Sequence, residues 1–167
     1  MSATLVPTTA YQLADAQGVR EAARRRVGVI DLLVFKAGGE RFAVGLAAVD
    51  EVIDTGIITA FPQSPKTMLG VSEIRGALVP VYTPGPALGV DIVDRKKIVV
   101  ARGRDGRRVG LAVDDAEGVM AFDFETLNTA AAQGMLLGIS PRGSLLAVVD
   151  IEALVAACTT DRVEETS

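Results

Sequence analysis

From Val29 to Val149 the chain is built of short apolar or alternating runs broken by turn residues, the signature of strands rather than long helices. Leu32-Leu33-Val34-Phe35 is an apolar run, Gly38-Gly39 a turn, and Arg41-Phe42-Ala43-Val44 alternates. Val49 to Ile53 and Ile57 to Phe61 follow as strand segments, the second stopped by Pro62 and Pro65. Leu69 to Ile74 and Ala77 to Tyr82 flank a tight turn at Arg75-Gly76. Lys97 to Ala101 and Val109 to Val113 flank another at Arg104-Asp105-Gly106. Val119 to Phe122, Met135 to Ile139 and Leu145 to Val149 complete the strand set, with a turn at Pro141-Arg142-Gly143. Asp150 is placed to cap a short helix from Ile151 to Cys158, because its carboxylate can accept the unpaired amides of the first turn.

The ends differ from this middle. Ala10 to Arg26 has the alanine and leucine content of a helix, with Arg24, Arg25 and Arg26 suited to its C-terminus. Residues 1–29 are therefore expected to be a partly helical appendage, and residues 159–167 a polar tail.

An internal echo organises the β region. Val44-Gly45-Leu46-Ala47 returns as Val109-Gly110-Leu111-Ala112, 65 residues on, and Arg75-Gly76-Ala77-Leu78-Val79 as Arg142-Gly143-Ser144-Leu145-Leu146, 67 residues on. The near-equal offsets predict two similar β units, about 30–82 and 95–150, each too small to close a good core alone. Small barrels or half-sandwiches packed side by side are expected, joined by a crossing loop that carries Pro84 and Pro86.

Composition narrows the chemistry. The 167 residues are 49% hydrophobic and 23% charged, enough for a core, yet only 4% are aromatic. No histidine exists, which excludes Ser-His-Asp and Cys-His sites and histidine metal ligands. The single cysteine, Cys158, cannot form an internal disulfide or a thiolate zinc site, and reads as packing beside Leu154 and Val155. No metal and no cofactor are expected. A net charge of −4 disfavours a nucleic-acid groove. The first residues lack the basic start and apolar run of a secretory signal, and no run approaches the ~20 apolar residues of a membrane helix, so a cytoplasmic protein without direct membrane insertion is expected.

Three function classes stay open on the residues alone. A carboxylate enzyme would draw on Asp114-Asp115, Asp50-Glu51 or Asp91 with Asp94, but neighbours on a strand face opposite ways, so neither adjacent pair is a dyad by itself. Gly103-Arg104-Asp105-Gly106 lacks the ending of a phosphate loop and reads as a hairpin. A nucleic-acid barrel would use Arg102, Arg104, Arg107 and Arg108 around that hairpin. A protein-binding module would use Arg75, whose position at a tight turn between apolar strands offers either a local bond or a pair with Glu73, or an exposed fork of donors beside an apolar groove.

Glu51-Val52-Ile53, Phe61-Pro62-x-x-Pro65, Gly70-Val71-Ser72-Glu73-Ile74-Arg75-Gly76 and Val79-Pro80-Val81, in this order and spacing, resemble the CheW-like domain family of bacterial chemotaxis adaptors. Lys97 to Val100, Val109 to Asp114, Gly138-Ile139 and the closing Leu145 to Leu154 extend the resemblance over about residues 30–158. It implies a mainly β fold of two five-stranded, SH3-like β-barrel subdomains side by side. It also implies a non-catalytic scaffold, with no catalytic residues, that joins a CheA-type histidine kinase regulatory domain to the cytoplasmic tips of methyl-accepting chemoreceptors. Other CheW-like domains are a further implied partner. Family receptors dock in an apolar groove between the subdomains, and motif match carries that role to Val49, Glu51, Val71, Arg75 and Gly76. The chain departs from the pattern at Glu73, where the family has asparagine, and at Tyr82-Thr83-Pro84-Gly85, where it has Ile-Asp-Leu-Arg. Two prolines within three residues there argue against the family's short helix.

Overall fold

The computed structural model describes residues 28–140 and 146–160. The helix expected in residues 10–26, the Arg142-Gly143 turn and the tail beyond residue 160 lie outside the described residues. In chain order the elements are β1 (Val29–Ala37), β2 (Glu40–Gly45), β3 (Val49–Asp54), β4 (Met68–Ile74), β5 (Ala77–Tyr82), α1 (Gly85–Leu88), β6 (Lys97–Arg102), β7 (Arg108–Val113), β8 (Asp115–Asp123), β9 (Leu136–Ser140), β10 (Leu146–Val149) and α2 (Ile151–Thr159).

These strands make two five-stranded sheets, ordered β8-β1-β2-β10-β9 and β3-β6-β7-β5-β4. The sheets are equivalent strand for strand. In each, an antiparallel hairpin (β1–β2 or β6–β7) pairs on one side with an antiparallel edge strand (β8 or β3) and on the other, in parallel, with a second hairpin (β10–β9 or β5–β4). The sequence echo falls on equivalent strands, since Val44-Gly45 ends β2 and Val109-Gly110 lies in β7. The outer strands of each sheet, β8 and β9 in one, β3 and β4 in the other, do not pair with each other, so neither SH3-like subdomain closes into a hydrogen-bonded barrel.

The subdomain boundaries differ from the expected 30–82 and 95–150. The second sheet is continuous, β3 to β7, and is inserted into the first, which takes β1 and β2 from before it and β8 to β10 from after it. The repeat halves are units of sequence, and each sheet is assembled from both. The exchange occurs because β2 leads through a 3-10 turn at Leu46–Ala48 directly into the other sheet, and Asp114 alone separates β7 from β8.

Three apolar clusters hold this arrangement. Alternate residues of β1 and β6 face opposite ways: Leu32 and Val34 fill the first subdomain, Ile98 and Val100 the second. Leu33, Phe35, Val99 and Ala101 join a shared core between the sheets with Ile151, Leu154, Val155 and Cys158 of α2. Strands buried on both faces explain why these segments read as unbroken apolar runs. Phe35 and Phe42, opposite each other across the β1–β2 hairpin, stack with centroids 5.7 Å apart inside the shared core. Asp150 caps α2 as expected, its Oδ1 accepting from the amides of Glu152 at 3.1 Å and Ala153 at 3.5 Å. Cys158 is buried, as expected of a packing residue.

Two local expectations are corrected. A four-residue helix, α1, does form at Gly85–Leu88. Pro84 is its N-cap and Pro86 stands in its first turn, where backbone N–H groups have no intrahelical acceptor, so the prolines forfeit no bond. Ile57 to Phe61 is not a strand but one bridge, Thr59 with Val71. There the loop presses against β4 so closely that a Cβ on Gly70 would lie 2.3 Å from the Thr59 carbonyl oxygen. The equivalent bridge joins Asn128 and Ile139 beside Gly138, another mark of the repeat.

Candidate partner-binding surfaces

Ile74 and Ala77 pair, so Arg75 and Gly76 form a two-residue hairpin turn between β4 and β5. Both have positive φ, 53° and 80°, the geometry that matches strand twist. Glycine takes it freely, whereas for arginine the left-handed region costs on the order of 1 kcal/mol. The turn aims the Arg75 guanidinium at β3. Its Nε lies 2.9 and 3.0 Å from the two oxygens of Glu51, and a second nitrogen lies 2.8 Å from Oε1. The partner is thus Glu51 rather than Glu73, which stands exposed opposite Leu78. The hydrogen bond from Arg75 is the main cause holding the Glu51 carboxyl below its ordinary pKa, and the same bond raises that of Arg75. The Arg75 side chain stays 73% exposed, so the pair lies at the protein surface.

Of the residues expected to bind a partner, the structure brings Arg75, Gly76 and Glu51 together. Val49, two residues before Glu51, packs against the shared core at the edge strand β3. Val71 stands apart, on the outer face of β4, opposite Pro80 and bridged to Thr59. Sequence reading missed Val119. It lies on β8, the edge strand of the other sheet, opposite Leu33 of the shared core, and is 54% exposed. Edge strands β3 and β8 therefore both border the seam between the subdomains with aliphatic side chains. A valine in an apolar run gives no sign of which face it occupies, so only the register could reveal this.

A second concave surface was also missed. A groove of about 730 Å³ runs between β5, the β6–β7 hairpin and α2. Leu78, Pro80 and Tyr82 form one wall, Val155 and Ala156 the opposite one, and Arg104 and Arg107 lie on the rim. Leu78 is 72% exposed, a large apolar side chain left in water by the fold. Three of the four hairpin arginines are engaged with carboxylates: Arg102 with Asp50 at 3.0 Å, Arg104 with Glu152 at 3.1 Å and Arg107 with Asp105 at 3.6 Å. This pairing offsets the charge on which a nucleic-acid reading would rely.

Three of the carboxylates considered for catalysis, Asp114, Asp50 and Glu51, are engaged within the fold. Asp114, between β7 and β8, accepts from the Gly38 amide at 2.7 Å through Oδ2 and from Asp94 and Arg95 amides at 2.8 and 3.2 Å through Oδ1. Burial pushes its carboxyl up, but the amides of Gly38, Arg95, Asp94 and Val93 together outweigh that and hold its pKa below the ordinary value. Asp50 and Glu51 are each taken up by an arginine. Among the described residues no group of acids or cysteine is arranged to hold a metal ion.

The profile of the CheW-like domain matches residues 31–158. The chain belongs to the CheW-like family. It is 31% identical over 137 residues to the probable chemotaxis protein CheW of Rhizobium etli, covering 74% of this chain and 86% of that protein. It is 28% identical over 140 residues to chemotaxis protein CheW of Rhizobium meliloti, covering 74% and 86%. Among solved structures, the scaffolding protein TtCheW of Thermoanaerobacter tengcongensis superposes with a TM-score of 0.66 at 20% identity, covering 75% of this chain and 91% of that one. The last similarity establishes the CheW-like fold, two SH3-like β subdomains, for this chain.

Proposed function

We propose that this CheW-like protein is a non-catalytic cytoplasmic adaptor that couples chemoreceptors to a CheA-type histidine kinase. The observation that carries the reading is the exposed, bidentate Arg75–Glu51 pair, which ties the β4–β5 turn to β3, the edge strand that also carries Val49. Val49 and Val119 on the two edge strands supply an apolar bed for a receptor's helical tip, and the guanidinium and Gly76 turn supply polar anchoring. The groove beside Leu78 is a separate surface for the kinase's regulatory domain. The β4–β5 hairpin carries Arg75 at its turn and Leu78 three residues later, so one rigid element serves both surfaces and fixes the partners relative to each other. Modest individual contacts suffice when an array repeats them. No described helix is long and apolar enough to cross a membrane.

The test is a pull-down of a methyl-accepting receptor and a histidine kinase from native cytosol and membranes, with wild-type protein and Arg75→Ala. Receptor capture falls at least severalfold in the variant while the thermal midpoint stays near wild type. Unchanged capture, or a large loss of stability, overturns the assignment.

A further inference from the structure

The two sequence halves do not each make a sheet; they clasp one another. Residues 28–82 contain the hairpins β1–β2 and β4–β5 and a lone strand β3. Residues 97–160 contain the hairpins β6–β7 and β9–β10 and a lone strand β8. Hairpin β1–β2 inserts between β8 and β10, and hairpin β6–β7 inserts between β3 and β5. Among the described residues, every strand-to-strand ladder beyond the four hairpins (β1–β8, β2–β10, β3–β6 and β5–β7) therefore joins one half to the other. A two-stranded hairpin is marginal in water, so neither half holds a stable sheet alone.

Only loop 83–96 makes the two halves partners within one chain. We propose that the same clasp forms between the halves of two copies, giving a reciprocally exchanged dimer, whenever that loop cannot turn back. The geometry sets the threshold. β5 and β6 are separated by β7, so they lie about 10 Å apart. Tyr82 is level with Leu111 and Leu111 with Val99, which places Lys97 roughly 7 Å further along. The gap to be bridged is thus on the order of 12 Å, whereas a one-residue link reaches only about 7.6 Å between flanking Cα atoms. The natural loop clears the gap easily and is tied down by Ile92 in the shared core and by the Asp94 and Arg95 amides on Asp114, so the closed monomer dominates. In the exchanged dimer all eight ladders are rebuilt without any new surface. The consequence for the partner surfaces is specific. Arg75 and Glu51 remain within one chain, while each Leu78 groove combines β5 of one copy with the β6–β7 hairpin and α2 of the other.

Two measurements test this. In the full chain, a protease site inserted at exposed Gly89 is cut, and the products are followed by gel filtration and thermal melting. The pieces are expected to travel together at the mass of the intact protein and melt in one transition, and each piece made separately is expected to show no cooperative melt until the other is added. Pieces that separate without denaturant, or one that melts cooperatively alone, overturn the clasp. Replacing residues 83–96 by one glycine is expected to give a dimer by light scattering with native circular dichroism. A folded monomer overturns the exchange. Should that variant fail to fold, the two separately made pieces, which have no loop to turn back, decide: assembly of the two chains into one cooperatively melting complex supports pairing between copies, and failure to assemble overturns it.

Discussion

Asp114 is the residue whose removal should be felt most for its size. Its two oxygens hold the turn between β1 and β2 and the loop that leads into β6, and it is itself the crossing between the sheets. Replacing it with alanine leaves the Gly38 and Arg95 amides, both partly buried, without an acceptor, while the exposed Asp94 amide can turn to water. At about 1–3 kcal/mol for each stranded donor, the loss is about 3 kcal/mol. Water cannot easily reach the Gly38 amide because the loop is already in contact: a Cβ on Gly38 would lie 2.6 Å from Val90 Cβ. For a chain of this size that loss lowers the thermal midpoint by roughly 6–12 °C. The pH dependence follows from the direction of the shift. The folded carboxyl has a pKa below its ordinary 3.8, so its stabilisation is complete well above 3.8 and is lost as pH falls through the lower folded value. Melting curves of wild type and Asp114→Ala at pH 7 should therefore differ widely and converge in strong acid. A variant within about 0.5 kcal/mol of wild type at pH 7, or a gap unchanged by acid, refutes the latch.

Other outcomes follow from single features. Leu78→Thr keeps strand propensity at an exposed site, so stability should hold while kinase capture weakens about tenfold, read by titration of labelled regulatory domain. Asp150→Ala removes the cap of α2 and should cost about 1 kcal/mol, seen as a lower urea midpoint with an unchanged slope. Glu51→Gln keeps the side chain's shape but ends the charge pairing, so receptor capture should lose its dependence on acid. In wild type that capture should weaken as pH falls through the Glu51 carboxyl's pKa, which the Arg75 hydrogen bond holds below its ordinary value. A capture curve that breaks well above the ordinary carboxylate range counts against the pair.

Alternation, turn residues and caps act within a few residues, and they were legible along the chain. The Gly38-Gly39 and Arg75-Gly76 hairpins, the strands around them and the Asp150 cap all stand where local chemistry placed them. The repeat was legible too, because equivalent strands face equivalent surroundings and keep similar residues. Pairing was not legible. The halves resemble each other, so β1–β2 could be completed by its own half or by the other, and alternation is the same in both cases. Sheet order was decided by connection length, a three-residue turn after Gly45 and a single residue at Asp114, which carry the chain across before a local sheet can close. The same distance effect hid the site. Arg75 meets Glu51 24 residues away, and Val119 comes to the seam through pairing with Leu33, 86 positions earlier. Local propensity wrote the strands of this protein, and its candidate partner surfaces arose only when packing chose among edges that the chain had left equivalent.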